Sequence, residues 1–170
     1  TGELFFEIKS FIRKHQGDCE VYLSPFDVRL FKDDSAVVQP DLLVVCNRDI
    51  LTEKDCSGPP DWVVEITSKS NSSHDYVRKL MLYQKAGVRE YWIIDPFREQ
   101  ILVINFEDPK KSGEYTYADR CFRGVGRIED PAWRDTGEVL AFPAALCLAL
   151  RLIVSLLKLE KLYVCSAKIC

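Results

Sequence analysis

Two short stretches, VVQPDLLVV (37–45) and GPPDWVVEI (58–66), each set a proline and an aspartate at the entry of an aliphatic, β-branched run, and only the second carries another carboxylate, Glu65, in its apolar middle. An ionised carboxylate inside such a strand is costly unless it is paired, hydrogen-bonded or bound to a cation. Glu65 therefore needs a partner. Asp61 shares its strand and face but lies ~13 Å away along an extended chain, so it is expected to cap the strand entry. Asp41 opens a different strand that can lie alongside, and neighbouring strands are only ~4.8 Å apart. Two carboxylates meeting in this way form a hard-oxygen site suited to Mg²⁺ or Mn²⁺. His15 and His74 are too few and too far apart in sequence for a zinc site, and His74 reads as a helix-entry residue.

The elements that must position these groups follow from periodicity. GELFFEIKSFIRKHQG places Leu4, Ile8, Phe11 and Ile12 at spacings of three and four, which predicts an amphipathic helix ended by Gly17. EVYLSPFDVRLF reads as two short strands bent at Ser24-Pro25. The two Pro-Asp stretches then read as buried central strands. SNSSHDYVRKLMLYQKAG changes to a helical period, with Ser72 and Asp75 as a short capping box and Gly87 as the stop. REYWIIDP reads as a strand halted by Pro96, with Tyr91 and Trp92 as core and sheet-surface aromatics, and EQILVINFE and GEYTYAD follow as a further pair. Helix, strands, helix, strands predicts an α/β fold with a central mixed sheet flanked by helices.

The 170 residues suit one domain, expected over 1–150, with 151–170 an apolar helical tail that can belong to the same unit. The run VLAFPAALCLALRLIVSLLKLEKLYVC is divided by Pro143, Arg151 and Lys158 into pieces shorter than the ~20 residues of a spanning helix. A strand near 146–150 followed by an amphipathic helix is expected instead, and no membrane partner. A net charge of −3 leaves no global electrostatic footprint for nucleic acid, so binding would need a local basic patch. Seven cysteines without a CxxC or CxxH pair, behind an N-terminus without a signal-peptide pattern, suggest a cytoplasmic, reducing compartment. The chain opens on Thr1, as a fragment would.

Pro40-Asp41, then Glu65 in an apolar strand 24 positions later, resembles the PD-(D/E)XK nuclease superfamily with its restriction-endonuclease-like core. More closely, SPFDVRLF, VVQPDLLVV and GPPDWVVEITSKSNSSHDYVRKLMLYQKAGVREYWIIDP resemble the endonuclease-like Uma-two family, over about Gly2 to Asp108 and most densely over 37–96. The resemblance implies that Asp41 and Glu65 are catalytic metal ligands for Mg²⁺ or Mn²⁺, with DNA as substrate and a homodimer supplying two sites. It also makes Asp27 an accessory acidic ligand or orienting group, although a strand-edge aspartate is an equal alternative.

One departure matters. The superfamily lysine should stand two residues after the glutamate, and Thr67 occupies that position. A cation is still needed to meet charge on the phosphate. In the family, the lysine of a D-x-x-x-K helix matches Lys79; Lys69 is the alternative. By pattern alone Asp75, Lys79 and Tyr83 form an exposed i, i+4 ladder. The sequence therefore suggests a metal-dependent endonuclease. Its rivals are a degenerate, non-cleaving binding module, favoured by Thr67 and the acidic charge, and an interaction protein using its apolar C-terminal tail.

Overall fold

The computed structural model describes residues 1–68 and 73–116. Ser72, Lys69 and the expected elements and domain boundary near the C-terminus lie outside the described residues.

The chain opens with α1 (Gly2–Lys14), whose Leu4, Ile8 and Ile12 form the buried stripe. Its stop differs slightly from expectation: Gln16 takes the left-handed conformation, φ 56°, and the Gly17 N–H bonds back to the Ile12 carbonyl. A polar residue tolerates that conformation, so Gly17 only follows the turn. Next come β1 (Glu20–Leu23), β2 (Asp27–Arg29), β3 (Val37–Val38), β4 (Leu42–Val45), β5 (Asp55–Cys56) and β6 (Trp62–Ile66). Helix α2 (Ser73–Ala86) precedes β7 (Glu90–Asp95), β8 (Gln100–Asn105) and β9 (Gly113–Thr116). Gly87, φ +94°, ends α2 as its position predicts, with the N–H groups of Gly87 and Val88 returning to the Tyr83 carbonyl.

Six strands make one mixed sheet in the order β1-β4-β6-β7-β8-β9, parallel only between β6 and β7, which α2 connects. The sheet is filled on both faces, because successive side chains along a strand alternate sides. Leu42, Val44, Trp62, Val64 and Trp92 pack with α1 in one core; Leu43, Val45, Val63 and Tyr91 pack with Tyr83 of α2 in the other. Burying a large apolar side chain contributes roughly 1.5–3 kcal/mol, so both faces hold β4, β6 and β7 firmly.

Two features depart from the sequence reading. The segment after the cis Ser24-Pro25 bond does not join the main sheet; β2 is the centre of a separate three-stranded sheet, β3-β2-β5. Cys19 and Cys46 form a disulfide. The β1–β4 register pairs Glu20 with Val45, and one step outward Cys19 meets Cys46. A separation of 27 residues carries no pairing signal, and the expectation of a reducing compartment does not account for the bond. Among the described residues no helix is long and apolar enough to cross a membrane.

Candidate active site

The register of β4 against β6 pairs Leu42 with Val64, so one step outward Asp41 stands opposite Glu65 on the α2 face of the sheet. That row continues through Ile93 of β7, Leu102 of β8 and Glu114 of β9. Each carboxylate is anchored through one oxygen. Asp41 Oδ2 accepts the Ile66 backbone N–H at 2.7 Å. Glu65 is only 5% exposed. Its Oε1 accepts both Lys79 Nζ, at 2.9 Å, and the Tyr83 hydroxyl, at 2.8 Å.

Helix α2 delivers these donors because residues four apart share a helical face. Asp75, Lys79 and Tyr83 form one stripe, with Lys79 Nζ 3.8 Å from Asp75 Oδ2. The exposed-ladder alternative does not describe it: Tyr83 is fully buried and the Lys79 side chain only 20% exposed. Tyr83 packs against Tyr91 at 5.0 Å between ring centroids, which fixes the height of its hydroxyl over the sheet.

Burial raises the Glu65 carboxyl above its ordinary value; Lys79 and Tyr83 oppose that, and the Asp41 charge adds to it. Burial also pushes the Tyr83 hydroxyl up, with the Glu65 charge reinforcing it, so Tyr83 is a donor and not a base. Cys56 is buried, with its thiol pushed up to about 11 by burial, so it is no nucleophile.

The donor set fits a divalent cation. Glu65 is anchored through Oε1 and Asp41 through Oδ2, and no bond to a described residue engages their second oxygens. Two oxygens of adjacent carboxylates suit Mg²⁺, which usually keeps several waters and takes one or two carboxylates from protein. Among the described residues no cluster of three or more acidic, His or Cys side chains forms a fuller cage.

The other sequence-derived candidates are placed as follows. Asp27 lies in the small sheet, where Oδ1 accepts Gln39 Nε2 at 2.6 Å; its recorded bond reaches the segment before Asp41 and neither Asp41 nor Glu65. Thr67 follows β6, with its N–H bonded to the Ile94 carbonyl and its hydroxyl buried without a hydrogen-bond partner among the described residues. Asp61 lies at the opposite end of the β4–β6 ladder, accepting the Cys46 N–H at 2.7 Å and pairing with Arg89 at 3.4 Å. Tyr91 and Trp92 are both core residues.

Sequence reasoning missed two groups. The Ile66 N–H that holds Asp41 is a backbone donor and leaves no trace in residue type. Tyr76, one residue past Asp75, lines a groove of about 810 Å³ that runs from Thr67 across β7 and β8; nothing in the helical period marks it.

The family model of Uma2, described as "Putative restriction endonuclease", matches residues 1–120. This chain belongs to the Uma2 family. A crystal structure described as that of a "putative nuclease belonging to DUF820", from Anabaena variabilis, aligns with this Uma2 chain at a TM-score of 0.58 and 20% identity, covering 88% of this chain and 78% of the other. At that identity the likeness shows a shared fold. No curated protein matches this Uma2 chain.

Proposed function

We propose that this Uma2 chain is a metal-dependent endonuclease that hydrolyses phosphodiester bonds in DNA. The observation that carries it is the pair Asp41 and Glu65, opposite each other on neighbouring strands and each anchored through one oxygen, with the Lys79 ammonium 2.9 Å from Glu65.

Asp41 and Glu65 would hold Mg²⁺ or Mn²⁺, which supplies polarisation of the scissile phosphate and a bound water of lowered pKa. The remaining work falls to the chain itself. The Ile66 N–H and the Tyr83 hydroxyl fix the two carboxylates, so little reorganisation is needed when a ligand binds. Thr67 brings no charge to the position of the superfamily lysine, and Lys79 is the cation at the pair. Asp75 and Glu65 hold its ammonium in place. As the charge on Glu65 is neutralised, the ammonium is held less tightly and can donate to a phosphate oxygen, where it stabilises charge developing at phosphorus. A homodimer would supply two copies of the site.

Incubation with supercoiled plasmid and with labelled oligonucleotides tests this reading. Cleavage is expected with Mg²⁺ or Mn²⁺, and none with chelator, Asp41→Asn or Glu65→Gln. Metal binding without cleavage of any nucleic acid would instead support the degenerate binding module, which Thr67 favours.

A further inference from the structure

The groove beside the carboxylate pair has a composition that duplex binding does not explain. Its volume of about 810 Å³ falls within the ~300–1,000 Å³ of pockets that take small organic ligands. Ile93 and Leu102 form its floor on the row that begins at Asp41 and Glu65. Leu102 is 41% exposed although β8 has a neighbour on each side, so an apolar surface lies open in the sheet. Phe97 forms a wall and is 47% exposed. Its turn is fixed, because Asp95 Oδ1 accepts the N–H groups of both Phe97 and Arg98, at 2.9 and 3.0 Å.

Among the lining residues, Thr67 Oγ1 and the Tyr76 hydroxyl are buried, and neither finds a hydrogen-bond partner among the described residues. Unpaired buried hydroxyls are unfavourable, and a polar ligand edge would satisfy them. The charge at the rim selects the ligand further. Among the described residues lining the groove Asp95 and Glu114 are acidic, and the one arginine, Arg98, already pairs with Asp95 at 3.6 Å. A phosphate seated in the groove would meet those carboxylates. A nucleobase is flat and apolar on its faces, polar on its edge and uncharged.

We propose that this groove is a nucleobase subsite, taking an unpaired base of a single-stranded substrate next to the carboxylate pair. The proposal rests on the nuclease reading of that pair and names its substrate class. Phe97 supplies the stacking surface, Ile93 and Leu102 the floor, and Thr67 and Tyr76 the groups for the base edge. Stacking recognition of this kind is tolerant of sequence, since every base has a π face.

The test is fluorescence anisotropy with a fluorescein-labelled single strand, its duplex, and the same strand built with abasic sites, in Ca²⁺ without Mg²⁺. The single strand is expected to bind about tenfold tighter than the duplex, and Phe97→Ala with Leu102→Thr to remove that advantage, in keeping with stacking contributions to strand binding. Both side chains are partly exposed, and thermal melting checks that the variant is folded. The abasic strand should bind wild type no better than the intact strand binds the variant. Equal binding of strand and duplex, or an abasic strand that binds like the intact one, overturns the proposal. Replacing Ca²⁺ with Mg²⁺ separates the two ideas. Strand binding without cleavage keeps the groove and removes the nuclease reading; cleavage of a duplex that the single strand does not compete for keeps the nuclease and removes the groove.

Discussion

The β4–β6 ladder has a Pro-Asp turn at each end, and the two turns share one backbone device. Asp41 accepts the N–H of Ile66 just across the ladder, and Asp61 accepts the N–H of Cys46. Both bonds are 2.7 Å long. The ends differ in what surrounds the aspartate. Asp61 faces Arg89, which also pairs with Glu107, so opposite charges close that end. Asp41 faces Glu65, another carboxylate, and Lys79 reaches Glu65 and Asp75. No basic group of a described residue pairs with Asp41 itself within 4.0 Å. One end is an electrostatically closed joint; the other keeps two like charges together, an arrangement that weakens a fold unless a ligand uses it. A repeated motif thus separates, by its neighbours across the sheet, into a charge-balanced copy and the copy proposed as the working site.

The largest effect that could break this comparison is at Lys79. If its ammonium serves the reaction, Lys79→Ala should lower cleavage by about 10²–10³, as loss of one transition-state donor typically does. Cation affinity should persist or rise, because the ammonium no longer competes for Glu65. Cleavage that survives Lys79→Ala would move the catalytic cation elsewhere, with Lys69 next.

Next comes Tyr83→Phe, which removes one donor from Glu65. A hydrogen bond to a charged group contributes about 1.5–3 kcal/mol, so Mn²⁺ affinity near neutral pH should fall roughly tenfold or more. The pH profile carries the sign. Glu65 already titrates above 4.5, chiefly through burial, so cation binding should fail as pH drops through that raised value rather than through the ordinary one. Tyr83→Phe should move the failure to still higher pH. The linked stability runs the other way: the contribution of a raised carboxyl is fully present below its unfolded-state value and is lost as pH rises through the folded one. A profile unmoved by Tyr83→Phe would reduce Tyr83 to a packing residue.

The smallest effects are on stability, and they should have opposite signs. Asp61→Asn breaks a partly exposed ion pair and should destabilise by about 1 kcal/mol or less. Asp41→Asn keeps an acceptor for the Ile66 N–H while removing the repulsion against Glu65, so melting at neutral pH should be unchanged or raised. Calorimetric unfolding of the two variants compares them directly.

Much of the Asp41 and Glu65 end was legible in residue order. Proline, aspartate and a β-branched run mark a buried strand, and a glutamate inside such a run demands a partner. The spacing of Asp75, Lys79 and Tyr83 placed them on one helical face, although pattern alone favoured solvent over the sheet for that face. Tertiary packing decided it. The small sheet was not legible, because β2, β3 and β5 are three, two and two residues long, too short for a period to register. Asp27, for which an accessory ligand and a strand-edge aspartate are equal readings of the sequence, opens β2 of that sheet and accepts Gln39 Nε2. The Cys19–Cys46 bond depends on the β1–β4 register and on nothing local.

The most direct test of the contrast between the two ends is Mn²⁺ titration by calorimetry at neutral pH on wild type, Asp41→Asn and Asp61→Asn. Wild type and Asp61→Asn should bind one ion per chain with similar affinity, and Asp41→Asn should show no saturable binding. Equal loss in both variants, or binding that survives Asp41→Asn, would contradict the assignment of the Asp41 and Glu65 end as the working site.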